Sequence, residues 1–416
     1  MSFRAQFAHI VDELPEPTRP RAGSGAVRAA VGILTYNHAT ALTGSGAVIA
    51  ADAGLVIVGG GQSGLATAYT AQLAGLRPVL LEQSPRDVGS WPRYYDSLRA
   101  FSPAGFCGLP GLRFPGDPDR YPARDEVVAY LRNYRHRLDV DIRTGQQVRS
   151  VSTGPDGFLL DTTAGELHAR RLITATGTFG NPYRPILPRT GFTGLVLHAA
   201  DYRTPDAFHG QRVVVVGGGN SAVQIAVDLS IWAEVTLVTR GPIRWQRRHR
   251  WGRDIHWWLD RTGLDTAPIG PLLRGHTSPV LDDGPYQAMV RAGRPRHRSM
   301  FSRLDGHTAS WPDGSTEPVD AIILATGYRP DLAYLQEMGA LDPAGRPRHR
   351  RGVSTTVPGL GYVGLEYQGG ISSATLRGVG RDAQSVLRRL YRKVPAARIH
   401  GGYRTHSSAS AHRPLP

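Results

Sequence analysis

The chain has 416 residues, 40% hydrophobic and 8% aromatic, which is enough for two packed domains and argues against a disordered polypeptide. Its formal charge of +15 is almost all arginine, with Lys393 the only lysine, and is spread over the runs Arg244 to Arg253, Arg294 to Arg298 and Arg346 to Arg351. No nucleic-acid module surrounds those runs, so no nucleic-acid partner is expected. Cys107 is the only cysteine, which excludes an internal disulfide, a Cys-x-x-Cys redox pair and a thiolate metal cluster. No metal site is expected. No stretch approaches the roughly 18 apolar residues that span a bilayer, and the start lacks a signal-peptide pattern. The expectation is a cytoplasmic protein with no transmembrane segment.

Residues 1–53 show no sustained period of 2 or 3.6 and are expected to form a poorly ordered extension. From Gly54 short β-branched runs alternate with helical stretches. Leu55 to Val58 predicts a strand, Gln62 to Ala74 a helix and Pro78 to Leu81 a second strand. A Pro-rich loop, Phe101 to Pro122, precedes a predicted amphipathic helix over Tyr121 to Leu138. A second strand–helix pattern begins at Arg212, with Val213 to Val216 as strand and Ala222 to Ile231 as helix. The stretch from Arg244 to Trp258 mixes cations and indoles and reads as a surface helix with stacked arginines, the alternative being a cover for the substrate entrance or a contact to an anionic surface. The end of the chain, 396–416, is expected to be a disordered tail. The alternation predicts an α/β fold with parallel sheets.

Two glycine strings sit between a strand and a helix. The first is Gly59-Gly60-Gly61-Gln62-Ser63-Gly64, in which Gly59 serves the tight turn, Gly61 the close approach of backbone to a pyrophosphate, and Gly64 the packing of helix on strand. The second is Gly217-Gly218-Gly219-Asn220-Ser221-Ala222. Glycine is 50 of 416 residues, so a bare string arises by chance roughly once per chain of this composition. Gly359 to Gly364 is such a decoy, because no helix pattern follows it. Glu82 lies 23 residues after Gly59, and Arg240 lies 23 residues after Gly217. A carboxylate accepts hydrogen bonds from ribose hydroxyls and repels a 2′-phosphate, whereas a guanidinium binds that phosphate. The first unit therefore suits FAD and the second NADPH, with NADH the alternative should Arg240 be merely solvated.

Between the units lies Phe192-Thr193-Gly194-Leu195-Val196-Leu197-His198-Ala199-Ala200-Asp201-Tyr202, which matches F-x-G-x-x-x-H-x-x-x-Y/W at every fixed position. This resembles the fingerprint of class B flavoprotein monooxygenases. Tyr202 followed by Arg203 is closer to the flavin-containing and N-hydroxylating branch than to the Baeyer–Villiger branch. The resemblance runs from about Gly54 to Leu390 and includes two linkers, Ala175-Thr176-Gly177 and Ala325-Thr326-Gly327-Tyr328.

That resemblance implies two Rossmann-like dinucleotide-binding domains: an FAD domain in two parts, 54–206 and 326–395, with an NADPH domain inserted at 207–325. It implies that NADPH reduces FAD, that O2 adds to give a C4a-hydroperoxyflavin, and that a small nitrogen- or sulfur-containing nucleophile takes the distal oxygen. His198, Phe192 and Tyr202 are implied as the catalytic set, with His198 and Phe192 at the interdomain hinge. The cofactor-binding set comprises Gly59, Gly61, Gln62, Ser63, Gly64, Glu82, Trp91, Gly217, Gly219, Asn220, Ser221, Arg240, Thr326, Gly327 and Asp382, the last on a helix start facing the flavin. One departure stands out: where flavin-containing monooxygenases place an asparagine near the flavin, this chain has Phe101 in Tyr95 to Ser102. The rival functions are an FAD-dependent NAD(P)H oxidoreductase or oxidase that oxygenates nothing, and a non-catalytic redox sensor. A homodimer is left open.

Overall fold

The computed structural model describes residues 53–85, 88–270 and 279–391. The expectations for the N-terminal extension before Ala53 and for the C-terminal tail lie outside the described residues.

Two parallel-rich sheets carry the fold. The first contains, in order, His349–Arg350, Val353–Ser354, Leu360–Tyr362, Leu172–Thr174, Val56–Val58, Val79–Glu82 and Asp141–Thr144. The second runs Arg296–Ser299, Glu234–Thr239, Arg212–Val216, Ala321–Leu324, Leu195–His198. Strands buried on both faces read as continuous apolar runs, and both sheets show it. Ile57, Leu80 and Ile173 point into one core, while Val56, Leu81 and Leu172 point into another. The second sheet does the same, with Val213, Val215 and Leu237 on one face and Val214, Val216 and Val238 on the other.

Each sheet has helices on one face and antiparallel strands on the other. Leu65 and Ala68 of the helix Gln62–Leu73, with Val127 and Leu131 of Arg124–His136, cover the first sheet. Its far face packs on the meander Val148–Gly154, Gly157–Thr162, Gly165–Ala169. The second sheet is covered by the helix Asn220–Leu229 and, opposite, by Phe301, Leu304 and Trp311.

The predicted helices form within a few residues of their expected ends. The strand Leu195–His198, which the sequence reading left with the first unit, pairs in parallel with Ala321–Leu324 of the second sheet. The segment from Arg244 is not one helix. It folds as Trp245–Gln246, a hairpin of His249–Arg250 with Arg253–Asp254, and the helix Ile255–Arg261. The expected arginine stacking does occur, with Arg253 over the Trp257 ring at 5.5 Å. The decoy at Gly359 opens the strand Leu360–Tyr362 and no helix. Among the described residues no helix is long and apolar enough to cross a membrane.

Candidate functional site

Both glycine strings do the same thing to the backbone. Gly59 (φ +107°) and Gly217 (φ +149°) take conformations that L side chains rarely adopt, and a Cβ at either would strike a carbonyl crossing above it. For Gly59 that carbonyl is Ala175 at 2.5 Å, and for Gly217 it is Ala325 at 2.3 Å. The two linkers that resembled each other in sequence are therefore the two chains laid over the two turns. They also hold one another: Tyr183 N–H donates to Gly327 O at 2.9 Å and Asp331 N–H to Gly177 O at 3.0 Å. Thr176 Oγ1 donates to Asp331 O at 2.7 Å, and Thr326 Oγ1 to Tyr183 O at 2.5 Å.

After each turn a helix begins at a glycine, Gly61 or Gly219, with no side chain capping its free N–H groups. An uncapped helix start is an anion site by dipole and by hydrogen-bond demand. The space in front is open: a Cβ on Gly219 would meet nothing within 4 Å, and one on Gly61 only Gly89 Cα at 3.8 Å. The residues present thus fit dinucleotide phosphates at both turns. Both open into one continuous cavity of about 1440 Å3. Pockets for one drug-sized ligand are roughly 300–1,000 Å3.

Gly59, Gly61, Gln62, Ser63, Glu82, Trp91, Gly217, Gly219, Asn220, Ser221, Arg240, Thr326 and Gly327 all line that cavity. Glu82 ends its strand nearly fully buried, its two oxygens accepting from Gly60 N–H at 2.6 Å and Ser84 N–H at 2.8 Å. Burial pushes its carboxyl above the ordinary range, against the pull of those two bonds. Arg240 follows the strand Glu234–Thr239, is exposed to the cavity, and forms no ion pair with any described residue. Gln62 ties three elements together by accepting from Trp91 Nε1 at 2.8 Å and donating to Ala374 O at 2.6 Å. Asn220 is spent on structure, since its amide bonds Leu281 N–H and Pro279 O.

Gly64 and Asp382 do not line the cavity. Gly64 works by closeness, as a Cβ there would sit 1.7 Å from Gly59 O. Asp382 is in the first turn of the helix Val379–Leu390, its Oδ2 without a hydrogen-bond partner among the described residues and its carboxyl pushed by burial up to about 6.

The fingerprint residues lie behind the cavity wall rather than on it. The Phe192 ring covers Gly194, where a Cβ would meet it at 2.5 Å. His198 is fully buried, accepts at Nδ1 from Ala200 N–H and lies 3.1 Å through Nε2 from Gly327 O. Those partners require a neutral ring with the proton on Nε2. Burial, followed by nearby Arg184, lowers its pKa accordingly. Tyr202 donates to Asp228 Oδ2 at 3.3 Å, packing the segment on the helix Asn220–Leu229. Arg203 donates to the carbonyls of Pro92 and Tyr94, fixing the loop that carries Trp91.

Sequence reasoning missed two residues. Gln224, buried in the helix Asn220–Leu229, accepts from Tyr95 OH at 3.1 Å and so clasps the loop of Phe101. His256 lines the cavity and stacks on Phe101 with centroids 6.2 Å apart. Neither belongs to a motif. The only signal for His256 was its place at the end of the cationic, indole-rich stretch.

A family model for pyridine nucleotide-disulphide oxidoreductases matches residues 56–261. The chain is 31% identical over 340 residues to "Uncharacterized oxidoreductase CzcO" of Bacillus subtilis, covering 80% of this chain and 98% of the relative. It is 34% identical over 327 residues to the indole-3-pyruvate monooxygenase YUCCA6 of Arabidopsis thaliana, covering 68% and 78%. The solved flavin-containing monooxygenase from Stenotrophomonas maltophilia is 31% identical, with a TM-score of 0.72 over 82% of this chain and 98% of its own. With a lone cysteine, buried and its thiol pushed up to about 11, the disulfide chemistry in the family model's name has no cysteine pair here. Two phosphate cradles facing one cavity, joined by the fingerprint segment and matched along most of the chain by these relatives, place this protein in the flavin-dependent monooxygenase family, whose members use FAD and NADPH.

Proposed function

We propose that the protein oxygenates a small nitrogen- or sulfur-centred nucleophile with O2, using electrons that NADPH passes to FAD. The observation that carries this reading is the single cavity onto which both cradles open, because hydride transfer needs the two cofactors to meet. FAD would sit at the first helix start, on Gly59, Gly61, Gln62, Ser63 and the Gly64 turn, with Glu82 toward its ribose and Trp91 on the flavin side, and Asp382 would act from behind the wall, in the first turn of the helix Val379–Leu390. NADPH would sit at the second, on Gly217, Gly219, Asn220 and Ser221, with Arg240 toward the 2′-phosphate and Thr326 and Gly327 between the domains. Bound flavin supplies the redox chemistry, accepting hydride and handing one oxygen atom of O2 to the substrate.

The protein's own part is to hold, orient and exclude water. His198, Phe192 and Tyr202 are positioning residues in this reading: they brace the linker, the Gly194 bend and the second helix, and touch neither cradle. Glu82 and Arg240 separate the two nucleotides by charge.

The test uses FAD-loaded protein with NADPH, 18O2 and two probes, benzylamine and methyl p-tolyl sulfide. Oxygenase action puts one 18O in a product for each NADPH consumed. Hydrogen peroxide equal to NADPH with no labelled product makes the protein an oxidase, and no NADPH consumption makes it a sensor.

A further inference from the structure

We propose that His256 is the base that takes the proton from a protonated amine substrate, and that this enzyme therefore acts on an ammonium nitrogen in preference to a sulfide. The inference rests on the oxygenase reading above and deepens it.

His256 is in the first turn of the helix Ile255–Arg261, is 3% exposed, and belongs to the cavity wall with Ile255, Leu259 and Phe101. Its Nδ1 lies 2.6 Å from Asp254 Oδ1, and its backbone N–H donates to the same oxygen at 2.7 Å. The second oxygen of Asp254 accepts from Tyr121 OH at 2.5 Å, and Arg248 lies over the Tyr121 ring at 4.5 Å. Burial alone would raise the Asp254 carboxyl, but the bonds from His256 and Tyr121 outweigh it and hold it below the ordinary value. An ionised carboxylate only accepts, so the proton of the neutral ring is on Nδ1. Nε2 is left as a lone pair with no hydrogen-bond partner among the described residues.

Such a lone pair, on an imidazole whose ring centroid lies 6.2 Å from that of Phe101 and 6.1 Å from that of Phe106, asks for a hydrogen-bond donor. A sulfide has none to offer. An alkylammonium has three, and its nitrogen is no nucleophile until one proton leaves. The imidazolium so formed is stabilised by Asp254 and by the stacked ring. The proton balance closes: R–NH3+ with O2 and NADPH gives R–NHOH, NADP+ and water. The proton His256 accepts is the one that water formation consumes, and the N–O bond forms as the O–O bond breaks.

The experiment compares wild type with His256→Asn and Asp254→Asn on benzylamine and methyl p-tolyl sulfide, after checking FAD content per chain. The amide introduced by His256→Asn keeps a donor toward Asp254 and removes the Nε2 lone pair. His256→Asn is expected to lower kcat/KM for the amine about 100-fold, within the range for a lost general base, and for the sulfide no more than about threefold. Asp254→Asn is expected to lower amine turnover less, about tenfold, because it only orients the ring. His256→Ala provides a second arm, in which added imidazole restores amine turnover and leaves sulfide turnover unmoved. Equal losses on both probes, amine turnover surviving His256→Asn, no rescue by imidazole, or wild type that labels the sulfide alone would each overturn the assignment while leaving the oxygenase reading intact. Wild type that labels neither probe ends both.

Discussion

The two cradles are built on one plan and finished differently. Each lays an alanine carbonyl over a left-handed glycine and points an uncapped helix start at the shared cavity. The first is closed tight: Gly64 has no room for a methyl, and Glu82 is buried with both oxygens already bonded to backbone. The second is looser, with Ala222 where the first has Gly64 and with Arg240 exposed and without an ion-pair partner among the described residues. A tight, internally satisfied site suits a cofactor that stays, and an open one with a waiting charge suits a cofactor that comes and goes. The difference is one of packing and preorganisation rather than of fold.

The largest effect expected from this contrast is that of Gly64→Ala. The new Cβ would meet a backbone oxygen that is itself pinned under the linker, so the helix must move off the strand, at about 3 kcal/mol or more. Purified Gly64→Ala is expected to come out with little or no FAD and a lowered melting temperature. Ala222→Gly in the second cradle should cost only about 0.5–1 kcal/mol, the usual glycine-for-alanine change in a helix. Similar losses at both positions would erase the distinction between the sites.

Next in size is Arg240→Ala. Loss of a charge-assisted contact to phosphate costs about 1.5–3 kcal/mol, or roughly 10- to 150-fold in the KM for NADPH. The KM for NADH should hardly change, and steady-state kinetics with the two nucleotides reads the difference. A parallel rise for both would remove the 2′-phosphate from Arg240.

The smallest effect lies between the cradles, at His198. Its folded-state pKa is lowered, so the unfolded chain binds the proton more readily. The stability it contributes is fully present above the unfolded value of about 6.5 and is lost as pH falls through the lower folded value. Thermal melts at pH 7.5 and 5.5 should show a drop in wild type that is smaller in His198→Gln. An unchanged drop would mean that His198 does not clamp the second linker.

Much of the site was legible in the chain order. The glycine strings, Glu82, Arg240 and the fingerprint are local patterns, since strand, turn and helix start are neighbours in sequence and their chemistry is set by a few adjacent residues. The fingerprint was legible as a pattern, but its contacts were not. Its residues look chemical, yet Phe192, His198 and Tyr202 do their bonding inside the wall, because they link segments that meet only in the folded chain. Gln224 and His256 were invisible for the same reason. Each gains its meaning from a partner over a hundred residues away, Tyr95 for the one and Phe101 for the other.

Sequence by itself determined that this protein has two nucleotide-binding βαβ units of opposite charge, because turn geometry, helix dipole and strand-end charge are properties of contiguous residues. Only the tertiary structure decided that the two units share one cavity, that the two linkers lock over the two turns, and that an Asp-held histidine faces the space between. Those depend on which surfaces pack together, and burial and long-range contact are written in no short stretch of chain.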